Sequence, residues 1–360
     1  VTVLVIACPH ALGLAIPLVT AISTTLAAKN GLLVRERMAL ESARNIDVVL
    51  FDKTGTLTKG EQGVVDILAK DKGRTLSLAA ALERESEHPI AKAIFQYAHG
   101  QNVPETHATD FSALSGRGVR AKAGGKMVYV GGPRLLEELK LKLDSELQKA
   151  AEEASTDGKT VVYVVEDKTV LGAIMLADVI REESKEAVAR LHDMGKRVAM
   201  LTGDSKGVAA WVAKELGIKE YFAEVLPENK AETVKKLQAD GSRVAMVGDG
   251  VNDAPALTQA NIGIAIGAGT DVAIESAGIV LASSDPRGVA KIVTLSKATY
   301  RKMLQNLAWA TGYNALAIPL AAGVTSGIGF VLSPALGAVL MSLSTIIVAI
   351  NAQLLRRIKL

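Results

Sequence analysis

Apolar and polar positions divide this 360-residue chain into three regimes. From Val1 to Ala28 there is no Asp, Glu, Lys or Arg, a run longer than the roughly 20 residues that cross a bilayer core. A second charge-free run extends from Met303 to Leu355. Gly323, Gly327, Gly329 and Pro334 interrupt it near the middle, which predicts two further helices joined by a short turn. The predicted spans are 1–28, 302–323 and 333–355, with a helical connector at 29–44. Lys29, Arg35 and Arg37 follow the first run, Arg301 and Lys302 precede the second, and Arg356, Arg357 and Lys359 follow it. By the positive-inside rule all these ends are cytoplasmic, and the polar region between the runs is one cytoplasmic body.

Within that body, Val48-Val49-Leu50-Phe51 is an apolar run that stops at Asp52. It reads as a strand covered on both faces, delivering Asp52 to the carboxyl edge of a parallel sheet, where ligands bind in such folds. After Lys59 the chain leaves for a region with its own strands, such as Val161–Val165, and polar helices around Leu135–Ala154, then returns near Leu171. Arg197–Leu201 and Arg243–Val247 are short apolar runs, each after an amphipathic helix, the βαβ rhythm of an α/β fold. The expected organisation is a catalytic domain of 45–59 plus 173–293, with a second domain inserted at 60–172.

Composition adds little to this picture. Apolar residues make up 49% and aromatics 4%, which suits α/β layers plus membrane helices, and a net charge of +3 gives no reason to expect a nucleic-acid partner. The single cysteine, Cys8, cannot form an internal disulfide. Because the chain opens at Val1 inside an apolar segment, it is read as part of a longer protein, and no signal peptide is assigned.

The predicted strand ends carry a constellation. Asp52-Lys53-Thr54-Gly55-Thr56-Leu57-Thr58 follows one strand, Thr202-Gly203-Asp204 another, and Gly248-Asp249-Gly250-Val251-Asn252-Asp253 a third, with Lys230 between the last two. Three carboxylates at one rim repel unless a hard divalent cation joins them, and Mg²⁺ prefers such oxygens. A nucleophile, a hydroxyl for phosphate oxygens, a lysine and metal-binding carboxylates are the parts that phosphoryl transfer requires.

These motifs, DKTGTLT at Asp52, TGD at Thr202 and GDGVNDAP at Gly248, resemble the signatures of P-type ATPases, whose catalytic domain is haloacid dehalogenase-like. The resemblance covers essentially the whole chain. It implies a Rossmannoid phosphorylation domain with an inserted α+β nucleotide-binding domain, flanked by transmembrane helices. It further implies that Asp52 attacks the γ-phosphate of ATP, that Asp52, Thr54, Asp249 and Asp253 meet Mg²⁺, and that Lys53, Thr202, Gly203, Asp204, Lys230 and Asn252 complete the site. Haloacid dehalogenase-type phosphatases place a second aspartate two positions after the nucleophile. Here that position is Thr54, which cannot act as a general acid near neutral pH, so the acyl phosphate should persist. Asp178-Val179-Ile180-Arg181 looks like a family linkage motif with a structural role.

Ser86-Glu87-His88-Pro89 resembles the SEHP motif of heavy-metal pumps, which implies adenine contact by Glu87 and His88. Ser86 as a helix N-cap with Pro89 in the first turn accounts for the same residues structurally. Gly116-Arg117-Gly118 resembles the family's GxG turn, whose missing side chains would admit the nucleotide closely. In the membrane runs there are no carboxylates for hard ions. Instead Cys8 and His10 flank Pro9, two transition-metal ligands beside a helix break.

Together with Tyr313-Asn314 and Met341-Ser342-Leu343-Ser344, this motif resembles the CPH subgroup, the CopB-like copper-transporting ATPases. That implies an ion path at Cys8, His10, Tyr313, Asn314, Met341 and Ser344, and ATP-driven export of Cu⁺ or Cu²⁺. The expected setting is a multi-pass protein of a prokaryotic cell membrane, in contact with lipid, its large domains cytoplasmic. No TGE loop occurs, so the actuator domain and earlier helices are expected in a missing amino-terminal part. The alternatives are a pump for Ag, Zn or Cd, a membrane-anchored phosphatase, or a metal sensor with a silent catalytic domain.

Overall fold

A computed structural model describes residues 3, 6, 10–86, 88–104, 106–114, 117–267, 270–329 and 332–360. Cys8, Glu87 and Gly116, three of the predicted site residues, lie outside them. The strands in chain order are β1 Leu32–Val34, β2 Val48–Asp52, β3 Thr58–Ala69, β4 Ala108–Leu114, β5 Gly118–Ala123, β6 Lys126–Gly131, β7 Thr160–Glu166, β8 Thr169–Ile180, β9 Arg197–Leu201, β10 Glu220–Phe222, β11 Val244–Gly248, β12 Ile262–Ile266 and β13 Ile279–Leu281. Two compact units emerge. One comprises Val1–Leu50, Ala189–Arg197 and Glu228–Leu360, the other Phe51–Val188 and Val198–Pro227.

In the first unit β11, β12 and β13 are parallel neighbours, paired Ala245↔Ile262 and Ile264↔Ile279, and β1 closes the edge antiparallel with Leu32↔Leu281. The amides of Asp47 and Val48 donate to Arg243 O (2.9 and 3.2 Å), and the amide of Arg197 donates to Asp47 O (2.9 Å). The starts of β11, β2 and β9 are therefore level with one another. The strand order within this unit is β1-β13-β12-β11-β2. β2, β11 and β12 are buried along their whole lengths, which explains why they read as unbroken apolar runs rather than alternating ones.

The helices of this unit include His10–Ala15 and Pro17–Lys29, interrupted at Ile16, where Pro17 removes a backbone donor. Ala11 and Ala15 pack with Ala310 and Val348, and Val19 and Ile22 with Ala352 and Leu355. The small side chains allow the helices to approach closely. Among the described residues two stretches are long and apolar enough to cross a membrane, His10–Lys29 (mean hydropathy 1.8) and Pro334–Arg357 (2.0). The span expected at 302–323 lies in the second part of one 35-residue helix, Arg287–Ala321. No proline interrupts that helix before Pro319, and Gln305, Asn306, Tyr313 and Asn314 lower its hydropathy.

The second unit contains an antiparallel sheet ordered β3-β8-β7-β6-β5-β4. Strand periodicity builds its two layers. On β7, Val162 and Val164 enter a core with Leu76, Leu82 and Ile94 from helices Lys72–Glu83 and Pro89–Gly100. Val161, Tyr163 and Val165 face the opposite core, with Leu136 and Leu147 from helices Pro133–Leu139 and Ser145–Thr156. The boundary expected between 172 and 173 falls inside β8, a continuous twelve-residue strand. β9 and β10 pair in parallel in the same unit, Met200↔Tyr221.

Candidate functional site

Asp52 ends β2 and is 5% exposed, and its Oδ2 accepts the Thr54 amide at 3.1 Å. The turn Lys53–Leu57 follows, with Gly55 at φ 75, a conformation that costs glycine little. Three residues from the end of β8 and the start of the next helix hold this turn. Arg181 donates through Nη2 to Gly55 O (3.1 Å) and through Nε to Thr58 O (3.1 Å), and the Ser184 hydroxyl donates to Leu57 O (2.8 Å). Asp178 accepts the Thr58 hydroxyl on Oδ2 (2.6 Å) and the Gly60 amide on Oδ1 (3.0 Å). The linkage motif seen in the sequence thus grips the segment that carries Asp52.

Lys53 lies in the same network, its Nζ 2.8 Å from both Asp178 Oδ2 and Asp204 Oδ2. Burial pulls its pKa down, but the hydrogen bonds and charges of Asp178 and Asp204 more than reverse this, so it stands above the ordinary lysine value. Thr202 is buried and donates its hydroxyl to Asp204 Oδ2 (3.0 Å) while accepting the Asp204 amide (3.1 Å). Gly203 and Thr54 are exposed, so backbone as well as side chains is open at this rim. Glu224, at φ 57, donates its amide to Asp204 O (2.9 Å) and keeps the loop after β10 against the TGD turn.

In the first unit, Lys230 Nζ is 2.7 Å from Asp253 Oδ1, and both residues are buried. Asp253 Oδ2 accepts the amides of Asp249 and Gly250, each at 3.2 Å, so this carboxylate shapes the turn after β11. A Cβ on Gly248 would come within 2.6–2.8 Å of that carboxylate, which accounts for the glycine. Asp249 is half-buried and Asn252 exposed.

The nucleotide region differs in two physical details from expectation. The N-cap of helix Pro89–Gly100 is His88, not Ser86: its Nδ1 accepts the Ile90 amide (3.3 Å), while its own amide donates to Ser86 Oγ (3.4 Å). His88 is exposed, and with Nδ1 accepting, Nε2 is left as the donor. At Gly118 the space a side chain would fill belongs to the protein itself. A Cβ there would meet Val130 O at 2.0 Å and Gly131 Cα at 2.7 Å, so this glycine serves the β5–β6 pairing rather than leaving room for a ligand.

Sequence reasoning missed Glu83, which is 7% exposed at the end of helix Lys72–Glu83; burial raises its carboxyl to about 7 against the lowering effect of Ser86. No local signal in the sequence marks it.

In the apolar helices, His10 is exposed and Asn314 and Met341 are half-buried. The Tyr313 hydroxyl and Ser344 Oγ are buried without a hydrogen-bond partner among the described residues. Such groups are rare in native interiors because each costs free energy.

A family model described as haloacid dehalogenase-like hydrolase matches residues 46–261. The chain belongs to this family. Within the haloacid dehalogenase-like hydrolases it is 57% identical, over 99% of its length, to the copper-exporting P-type ATPase B of Archaeoglobus fulgidus, covering 51% of that protein. It is 49% identical to the probable copper-transporting P-type ATPase B of Staphylococcus aureus, over 98% of this chain and 52% of that one. The chain thus spans about half the length of the curated relatives it matches. A crystal structure of a zinc-transporting PIB-type ATPase superposes with a TM-score of 0.84 at 35% identity, covering 97% of this chain and 56% of that one. The family read from the motifs at Asp52, Thr202 and Gly248 is the one these relatives carry in their names, and the α/β class is as expected.

Proposed function

We propose that this chain is the carboxyl-terminal part of a pump that exports copper ions across a membrane, driven by ATP through a phosphate carried on Asp52. Asp52 is the observation that carries the reading. It is a carboxylate 5% exposed, at the end of a strand otherwise sealed from solvent, with a threonine in place of the acid two positions later. β2, β9 and β11 set out level with one another and each runs five residues. Asp52, Thr202 and Asp249 are therefore assigned to one rim.

At that rim an Asp52 oxygen bonds to the γ-phosphorus as the bond to ADP breaks. The Thr202 hydroxyl, the Gly203 backbone, Lys230 and Asn252 take the phosphate oxygens, and Lys53 and Asp204 keep the two turns in register. Asp52, Asp249 and Asp253 with the Thr54 carbonyl form an all-oxygen donor set, which fits Mg²⁺ and not a soft metal. When bound, that ion supplies charge neutralisation to the transferred group. Asp253 has the further task of orienting Lys230. Adenine recognition is assigned to His88 through Nε2, together with Glu87 and the Gly116-Arg117-Gly118 segment of the sequence motif.

The cargo is assigned to Cys8, His10, Tyr313, Asn314, Met341 and Ser344. The orphaned Tyr313 and Ser344 oxygens support this, since a metal ion or its water would satisfy them. Sulfur and imidazole ligands suit Cu⁺ or Cu²⁺. The zinc-transporting neighbours favour zinc as a second reading, but at 35% identity against 57% for the copper-exporting relative. The protein is placed in a cell membrane, its large domains cytoplasmic, completed by an amino-terminal part with the actuator domain. The test is to incubate the full-length protein with labelled ATP and Mg²⁺, with and without copper. A hydroxylamine-sensitive phosphoprotein that copper stimulates and Asp52→Asn abolishes is expected. Label that survives Asp52→Asn removes the nucleophile, and label driven by zinc alone removes copper.

A further inference from the structure

Three helices of the first unit are joined by a directed line of hydrogen bonds. Lys302 Nζ donates to Asn351 Oδ1 (2.8 Å), Asn351 Nδ2 donates to Asn306 Oδ1 (2.7 Å), and Asn306 Nδ2 donates to Ala15 O (3.2 Å). Every amide oxygen in the line accepts and every amide nitrogen donates, so the polarity set by the ammonium runs unbroken to a backbone carbonyl. Asn306 is 1% exposed, and at that burial an unpaired carboxamide would be costly. Its target is well chosen. Ala15 ends helix His10–Ala15 and Pro17 opens the next, so its carbonyl lies at a helix terminus, where intrahelical donors run out.

Asn306 also sits on a long helix whose first turns are buried. Helix Arg287–Ala321 begins with Val289, Ala290, Ile292, Val293 and Leu295 buried, and Asn306 follows Leu295 on the same unbroken helix. Eleven residues of α-helix span about 16 Å. A shift or rotation at its cytoplasmic end is carried along this rod to Asn306 and from there to Ala15, five residues after His10 in sequence.

We infer that Asn306 is a positioning residue that links movement of the long helix to the helix bearing His10, and that Asn351 and Lys302 hold its carboxamide in the donating orientation. The inference rests on the pump reading for its consequence, not for its geometry. Movement of the rod and metal affinity near His10 are then coupled through a bond to backbone. Loss of this bond should change how much metal is needed more than how fast the loaded protein turns over.

The experiment uses the full-length protein carrying Asn306→Leu, which is close in shape, or Asn351→Leu. Asn351 borders an open hollow of about 340 Å³, so its replacement meets little resistance if Asn306→Leu fails to fold. Two readouts are taken. Amide hydrogen exchange over residues 10–20 should quicken at least 10-fold while residues 287–300 stay within twofold. The copper concentration for half-maximal ATPase stimulation should rise at least fivefold with the maximal rate within twofold. Lys302→Met should give the same changes at smaller size. Exchange over 10–20 and half-maximal concentration both within twofold of wild type, in folded variants, would overturn the inference, as would a fall in maximal rate alone. If wild type shows no metal-stimulated turnover, the pump reading fails, and exchange over 10–20 still decides the linkage.

Discussion

Lys53 and Asp178 stand 2.8 Å apart, Nζ to Oδ2, with side-chain exposures of 5% and 11%. The same carboxylate binds the Thr58 hydroxyl and the Gly60 amide, so the last turn of β8 fixes both ends of the loop behind Asp52. Removing one partner of a buried pair leaves the other charge uncompensated, at a cost of about 3–5 kcal/mol, though Asp204 keeps part of the compensation for Lys53. Asp178→Asn is therefore expected to slow phosphoenzyme formation about 10- to 100-fold with nucleotide affinity unchanged, as read by rapid-quench labelling and nucleotide titration. The pH sign follows from the raised Lys53 pKa. Its contribution is complete below the ordinary lysine value and is lost as pH rises through the higher folded value, so the loss belongs to strongly alkaline solution.

Glu83 makes a different pH prediction. Its folded pKa of about 7 lies above the ordinary value of 4.5, so stability is greatest below 4.5 and declines as pH rises to 7. A shift of this size corresponds to roughly 3 kcal/mol. Urea unfolding of the full protein, followed by a probe in the nucleotide region, should show that decline between pH 5 and 7.5, and Glu83→Gln should flatten it. An equal slope in both proteins would mean that Glu83 is ionised in the fold.

The contrast between these two acids shows what was legible in the sequence. β2 and Asp52 could be read because a strand buried on both faces writes itself as consecutive apolar residues. The tie from Asp178 to Lys53 crosses 125 positions and has no local period, so the motif read only as a linkage. Glu83 reads as an ordinary acid at a helix end, and its burial appears only in the fold. The stretch expected at 302–323 lies in a helix that begins at Arg287, a start that the charges of Arg301 and Lys302 do not mark. Gly118 reads only as part of a turn that admits a nucleotide, and the close approach of Val130 and Gly131 backbone has no local signal in the sequence.

His88 has two tasks that substitution can separate. As N-cap it stabilises helix Pro89–Gly100 by about 1 kcal/mol, a contribution an Asn or Asp side chain can replace. As an imidazole with Nε2 free to donate, it has no such substitute. His88→Asn should keep the melting temperature of the nucleotide region and still weaken ATP binding about 10-fold, whereas His88→Ala should lower both. Full ATP affinity in His88→Asn would show that the cap alone explains the residue.

Tyr313 and Ser344 reverse the usual expectation for losing a polar group. Each hydroxyl is buried without a partner among the described residues, a condition that costs about 1–3 kcal/mol per group. Tyr313→Phe and Ser344→Ala remove that cost while keeping nearly the same shape, so the metal-free protein should be as stable as wild type or more so. If these oxygens serve the cargo, the same substitutions should raise the copper concentration for half-maximal ATPase stimulation about 5- to 50-fold. Thermal unfolding in chelator and a copper titration of ATPase activity measure the two sides. A structural hydroxyl would show the opposite pattern, with stability falling and metal dependence unmoved, because only a group kept unsatisfied for a ligand is more stable when removed and less useful without it.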